Sequence, residues 1–186
     1  AFAEYAVARE DKLATKPATL TFEQAAVVPT SAATALQVLA AGRVQPGDRV
    51  LVLGASGAVG AYAVQLAKAL GAEVTGVAST SNLGTVRALG ADHVVDYTVD
   101  DALDGSQRYH LIVDLAGNPP IRRLRGALVQ GGRVVFAGGE EGDRWTGGMG
   151  RQLRGLALSL FVRERLVNLL AKQRSSDLEE LSPFIE

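Results

Sequence analysis

Cysteine is absent from the 186 residues, so the chain can form neither a disulfide nor a cysteine-ligated zinc site. An excess of either charge is absent too. Lys and Arg number 19 against 20 Asp and Glu, for a net charge of −1. That leaves no basic footprint for nucleic acid and no polybasic patch for a membrane surface. No apolar run reaches the ~18 residues of a membrane span, and no stretch has the layout of a signal peptide. The two histidines, His93 and His110, each stand beside a strand-like run and read as surface or strand-edge residues with no metal role. There are no internal repeats and no low-complexity tracts. What remains is 47% hydrophobic and 21% charged, the composition of a soluble globular chain, with length for one sizeable core. The expected location is cytoplasmic. The chain opens Ala1-Phe2-Ala3 without a methionine and stops at Phe184-Ile185-Glu186 inside a helical pattern, so both ends read as cut.

After Val44 the pattern alternates strand and helix. Arg49 to Leu53 is a short continuous apolar run, as in a strand covered on both faces. Ala58 to Leu70 has helical spacing, with Val59, Ala63, Leu66, Ala67 and Leu70 on one side and Gly71 as a stop. Strands are expected at Glu73–Ala78, His93–Tyr97, Tyr109–Leu115 and Arg133–Ala137. Helices are expected at Asn82–Leu89 and at Ile121–Val129, the latter closed by Gly131-Gly132. A sixth strand is expected at Leu156–Val162 and a last helix at Asp177–Glu186. Upstream, Phe22 to Ala41 reads as helix, broken or bent near Pro29, and Ala3–Val7 as a strand outside the repeat. Such alternation predicts an α/β Rossmann fold: a doubly wound, parallel, six-stranded sheet in the order 3-2-1-4-5-6, with helices on both faces.

In that fold the ligand lies at the carboxyl end of the first strand. There the sequence reads Gly54-Ala55-Ser56-Gly57-Ala58-Val59-Gly60. Gly54 lets the chain leave the strand, Gly57 lets a pyrophosphate approach the backbone, and Gly60 lets the helix lie close to the strand. Free N–H groups at the helix start, with the helix dipole, favour an anion, and Ser56 adds a hydroxyl. Counted back from Gly60, Ala55 stands where the usual dinucleotide pattern has its first glycine. The strand-turn-helix context supports dinucleotide binding; the plainer reading is a structural turn without ligand. No Gly-Lys-Ser/Thr follows, which excludes a P-loop.

An NAD site carries an acid near the end of the second strand. Here that place reads Ala78-Ser79-Thr80-Ser81-Asn82, with short polar donors and no acid. A carboxylate there would repel a 2′-phosphate, so its absence favours NADP(H) over NAD(H). No Lys or Arg stands in the same stretch, and the nearest, Arg87, reads as a solvated helix residue.

The stretches "AFAEYAVAREDKLATKPATLTFEQAAVVPTSAATALQVL", "GDRVLVLGASGAVGAYAVQLAKALGAEVTGVAST" and "LGADHVVDYT" resemble the zinc-independent quinone oxidoreductase branch of the medium-chain dehydrogenase/reductase superfamily. The resemblance implies a GroES-like catalytic domain before a Rossmann domain that binds NADPH. Residues 1–21 would then be a remnant of the catalytic domain with its lead-in, and 22–186 the Rossmann domain, truncated at its end. It implies that Ala55 to Gly60 hold the pyrophosphate and that Ser79, Thr80 and Asn82 form the adenosine-phosphate loop. Thr34 would touch the nicotinamide side, or simply bond its own helix backbone. Tyr97 would lie near the adenosine, or pack. Ala116-Gly117-Asn118 and Gly138-Gly139 would face the cofactor, or only turn the chain. Relatives often place Lys or Arg where this chain has Ser81, Asn82 and Leu83. Zinc-dependent cousins have a Cys or acid shortly before the threonine matched by Thr34, and "VVPTSAAT" has none.

The resemblance implies a reductase that passes hydride from the nicotinamide to a quinone, enone or related carbonyl, with no obligate catalytic side chain in this part. Enoyl reductases and alcohol dehydrogenases of the superfamily, and non-enzymatic NADPH-binding structural proteins, are the alternatives. Short-chain dehydrogenases are disfavoured, because no Tyr-x-x-x-Lys pair occurs. Between Gly142 and Ala171 arginines mix with aliphatic residues. An edge strand there would invite pairing into a homodimer; a membrane-surface helix is the alternative.

Overall fold

The computed structural model describes residues 4–117, 119–137 and 165–185. Strands β1 (Arg49–Leu53), β2 (Glu73–Ala78), β3 (His93–Asp96), β4 (Tyr109–Asp114), β5 (Leu128–Phe136) and β6 (Arg165–Asn168) form one sheet. All pairs are parallel and the order is β3-β2-β1-β4-β5-β6, as the alternating pattern predicts. Helices are α1 (Phe22–Gly42), α2 (Ala58–Ala69), α3 (Leu83–Ala88), α4 (Ile121–Gly126) and α5 (Ser175–Leu181).

The alternation of side chains along β1 explains the two layers. Val50 and Val52 point to one face, with Val74, Leu111, Val113 and Val135, and are covered by α1, α2, Val86 of α3 and Leu181 of α5. Leu51 and Leu53 point to the other, with Val77, Ile112, Val134 and Phe136, and are covered by Leu124 of α4 and the β3–β4 loop. A strand buried on both sides must be apolar throughout, and each such Val or Leu contributes about 1.5–3 kcal/mol. β1 lies between β2 and β4, so successive crossovers leave it in opposite directions. A crevice opens there, at the carboxyl ends of the strands.

Several boundaries differ from expectation. α1 runs unbroken through Pro29. Thr21 and Gln24 make a reciprocal capping box at its start, and its second half is locked by buried Ala32, Ala33, Ala35, Leu36, Val38 and Leu39. Pro29 is exposed, eight residues into the helix and past its first turn, so the bond it removes is outweighed by the cap before it and the packing after it. α1 is also long and apolar enough, by length and composition, to cross a membrane, contrary to the expectation that no stretch would be. Its second half packs on α2 and the sheet, while Phe22 and Val27 in its first half are exposed. Gly131-Gly132 does not close a helix. It lies inside β5, where the register with β4 shifts between Tyr109 and Leu111 and Gly131 takes φ +78°. A 3-10 turn, Thr80–Asn82, precedes α3, and another, Ser182–Phe184, ends the last helical stretch. The sixth strand is Arg165–Asn168; the expected Leu156–Val162 lies outside the described residues. Residues 4–9 form no strand with this sheet.

Candidate functional site

The chain leaves β1 through Gly54, whose φ of +82° is strained for any residue with a side chain. The Gly54 carbonyl then accepts from the Gly57 N–H at 3.1 Å, which folds the turn back on itself. Gly57 caps α2 with extended φ and ψ and offers no side-chain cap. The first backbone bond into the helix is Ala61 N–H to Gly57 O at 2.8 Å, so Ala58, Val59 and Gly60 keep N–H groups without a backbone acceptor among the described residues. Gly60 is fixed by contact: a Cβ there would lie 2.1 Å from the Gly54 oxygen and 2.9 Å from the Ala55 Cα. Ala55 is fully buried; its N–H donates to Val77 O at 3.0 Å and its methyl faces Gly76. The turn is therefore held rigidly by its own packing, with Ser56, Gly57 and Ala58 exposed.

This turn borders a cleft of about 630 Å³. Leu53, Gly54 and Ser56 form one wall, Val77 and Ala78 the end of β2, and Tyr97 with residues 100–103 the β3–β4 loop. Ala116, Pro119, Pro120 and Arg123 close it from β4 and α4. Of the residues expected at the site, Gly54, Ser56, Tyr97 and Ala116 line this cleft. Tyr97 is 64% exposed and its N–H donates to Ala78 O, which ties the loop to β2. Gly117 turns the chain after β4 with φ +73°, its N–H donating to Asp114 Oδ1 at 2.9 Å.

The loop after β2 is self-satisfied. Ser79 Oγ accepts from Asn82 Nδ2 at 3.1 Å and lies 3.3 Å from Ser81 Oγ. Thr80 Oγ1 donates to Asp96 Oδ2 across to β3, and Thr98 donates to Asp96 Oδ1 through its hydroxyl at 2.7 Å and its N–H at 2.9 Å. The hydrogen bond from Thr80, with those from Thr98, holds the Asp96 carboxyl below the usual carboxylate range. Thr34 stands apart: its hydroxyl donates to Thr30 O at 2.7 Å within α1, and it does not line the cleft. It belongs instead to the helix that walls a second groove of about 650 Å³ between α1 and α2, lined by Thr30, Ser31, Ala58 and Tyr62 among others. Asn118, Gly138 and Gly139 lie outside the described residues.

The sequence reading missed Asp100, Asp101 and Arg123. Arg123 Nη2 pairs with Asp101 Oδ2 and also reaches Leu103 O at 3.4 Å. That a loop following a parallel strand lies at the carboxyl end of the sheet is legible in the sequence, but its meeting with α4 leaves no local signal. Among the described residues, no group of three or more His, Asp or Glu is placed to hold a metal ion. His93 lies 3.0 Å from Glu73, and His110 Nδ1 accepts from the Arg49 N–H, both at the amino-terminal end of the sheet, away from the cleft.

A doubly wound parallel sheet, with a glycine turn opening a helix at its switch point, is the architecture of the Rossmann class. A family profile described as zinc-binding dehydrogenase matches residues 58–174, and the chain belongs to that family. Among curated relatives, the chloroplastic NADPH-dependent alkenal/one oxidoreductase of Arabidopsis thaliana is 36% identical over 135 residues, 72% of this chain and 34% of that protein. The chloroplast envelope quinone oxidoreductase homolog of Arabidopsis thaliana is 32% identical over 187 residues, 95% of this chain and 55% of that protein. The solved structure of an NAD-dependent alcohol dehydrogenase overlays with a TM-score of 0.79 at 33% identity, covering 98% of this chain and 53% of that one. The two curated relatives, an alkenal/one oxidoreductase and a quinone oxidoreductase homolog, agree with the quinone oxidoreductase-like branch of the superfamily that the sequence resembles. The chain spans 34% and 55% of the length of the two curated relatives.

Proposed function

We propose that this chain is the NADP(H)-binding unit of a reductase that delivers hydride to a quinone, an enone or a related carbonyl. The observation that carries the reading is the turn from Gly54 to Gly60. Its Gly57 backbone is exposed, its Gly60 is packed without room for a side chain, and the three helix N–H groups that follow Gly57 have no backbone acceptor. Those donors fit the pyrophosphate. The adenosine would lie in the 630 Å³ cleft beside Tyr97. The nicotinamide would extend toward the groove between α1 and α2, on the side where Thr30 and Ser31 offer hydroxyls. When bound, the cofactor supplies the hydride, and the chain binds it, orients it and shields one face.

In the same reading, residues 1–21 lead in from a catalytic domain and 22–186 form the cofactor unit. The preference for the phosphorylated cofactor rests on the absence of an acid in Ser79–Asn82 and on the NADPH dependence named for the Arabidopsis relative. A cytoplasmic location and a homodimer belong to the same proposal; gel filtration tests the dimer.

The likeness to an NAD-dependent alcohol dehydrogenase favours a second reading, a unit that takes NAD(H) and interconverts an alcohol and a carbonyl. Calorimetric titration of the chain with NADPH and with NADH decides between them. Tighter binding of NADPH supports the first reading, tighter binding of NADH the second, and binding of neither overturns the dinucleotide assignment.

A further inference from the structure

A 2′-phosphate needs a cation, and the loop after β2 has none. Its hydroxyls are also partly engaged within the loop. Thr80 gives its proton to Asp96, and Ser79 accepts from Asn82 and lies against Ser81, so what the loop can still offer is neutral hydroxyl and amide donors without charge. Arg87, on α3, does not line the cleft. Among the described lining residues only Arg123 is cationic, and it shares the cleft with Gly54, Ser56, Ala78 and Tyr97.

Arg123 is held by a partner it can give up. Its side chain is 43% exposed and that of Asp101 50% exposed, so the pair is a solvent-screened one that contributes little to the fold. Its further contact, to Leu103 O, is long at 3.4 Å. A guanidinium presents a planar fork of donors that a phosphate accepts in bidentate fashion, with more charge than a carboxylate brings. Asp101 thus holds one guanidinium nitrogen, Nη2, in the free protein and offsets part of the charge that a phosphate would meet.

We propose that Arg123 is the specificity-determining cation of this cleft. It leaves Asp101 for the 2′-phosphate of the cofactor's adenosine and takes over, from α4, the role that the loop after β2 lacks the residues to perform. Asp101 then sets the threshold, because its carboxylate repels the phosphate and competes with it for the guanidinium. The inference rests on the cleft holding the adenosine end of a dinucleotide.

The probes are 2′,5′-ADP and 5′-AMP, which differ only in the 2′-phosphate, titrated calorimetrically into the wild-type chain, Arg123→Gln and Asp101→Asn, with NADPH and NADH as the full ligands. Arg123→Gln should weaken 2′,5′-ADP and NADPH about tenfold or more and leave 5′-AMP and NADH nearly unchanged, as expected for a lost charge-assisted hydrogen bond. Asp101→Asn should strengthen 2′,5′-ADP several-fold and leave 5′-AMP unchanged. The two variants shift the ratio in opposite directions, which a loss of folding does not do. Equal weakening of all four ligands by Arg123→Gln would show that the arginine meets the adenine or the pyrophosphate, and would overturn the assignment, as would no change. A wild-type chain that binds none of the four overturns the dinucleotide reading itself.

Discussion

Gly60→Ala adds one methyl group, and two opposing effects decide its outcome. Alanine is the better helix former by ~1 kcal/mol, so on propensity alone α2 gains. The added Cβ, however, lies 2.1 Å from the Gly54 oxygen and 2.9 Å from the Ala55 Cα, all backbone. No rotamer change relieves a backbone clash, so α2 must back away from β1 by ~1 Å to restore van der Waals distance. Ala63, Val64 and Ala67, fully buried on that helix, would lose contact with the sheet. Overpacking of this kind costs about 1–3 kcal/mol, and with a rigid partner the upper end applies. The net expectation is a loss of about 2 kcal/mol in urea unfolding. NADPH binding should weaken by more than about tenfold, because the helix N–H groups move with the helix. Gly84→Ala is the control: it lies in α3 with nothing within 4 Å of its added Cβ, so it should stabilise by ~0.5–1 kcal/mol and leave binding unchanged. Should Gly60→Ala unfold at the wild-type urea concentration and bind NADPH as the wild type does, the packing argument for this turn is refuted.

Asp96 should make stability depend on acid. Its folded-state pKa lies below the ordinary carboxylate value, so the unfolded chain takes up a proton first as pH falls. Its contribution is complete above the ordinary range and is lost as pH falls through the folded value; Asp96→Asn should flatten that part of the urea midpoint against pH, and parallel curves would contradict it. Thr34→Val should change NADPH affinity by less than about twofold, since the hydroxyl is spent on Thr30 O; a tenfold loss would instead place Thr34 at the nicotinamide.

The topology was legible because the central strands β1, β2 and β4 are mostly apolar on both faces and helical patterns lie between them. Glycine was read less well. Gly54 and Gly60 were assigned correctly because strand and helix patterns bracket them, whereas Gly131-Gly132 follows a helix and mimics a stop. Only the pairing of Tyr109 with Leu128 reveals that β5 has already begun and that the glycines form an irregularity within it. Pro29 misled for a similar reason: local propensity argues for a break, and the packing of Ala32 to Leu39, with the Thr21 cap, outweighs it. At the site, residues on β1 and its turn could be named in advance. Asp100, Asp101 and Arg123 could not, because they meet only when the β3–β4 loop and α4 converge on one cleft from positions about twenty residues apart. The engagement of Thr80 by Asp96 is equally non-local, joining the ends of neighbouring strands.

The central claim is that the turn after β1 grips the pyrophosphate through the start of α2. Amide chemical shifts of the chain, followed as NADPH is added, test it most directly. The account predicts that Ser56, Ala58, Val59 and Gly60 shift the most and saturate together with the calorimetric isotherm. NADPH that binds while these four amides stay in place would contradict it.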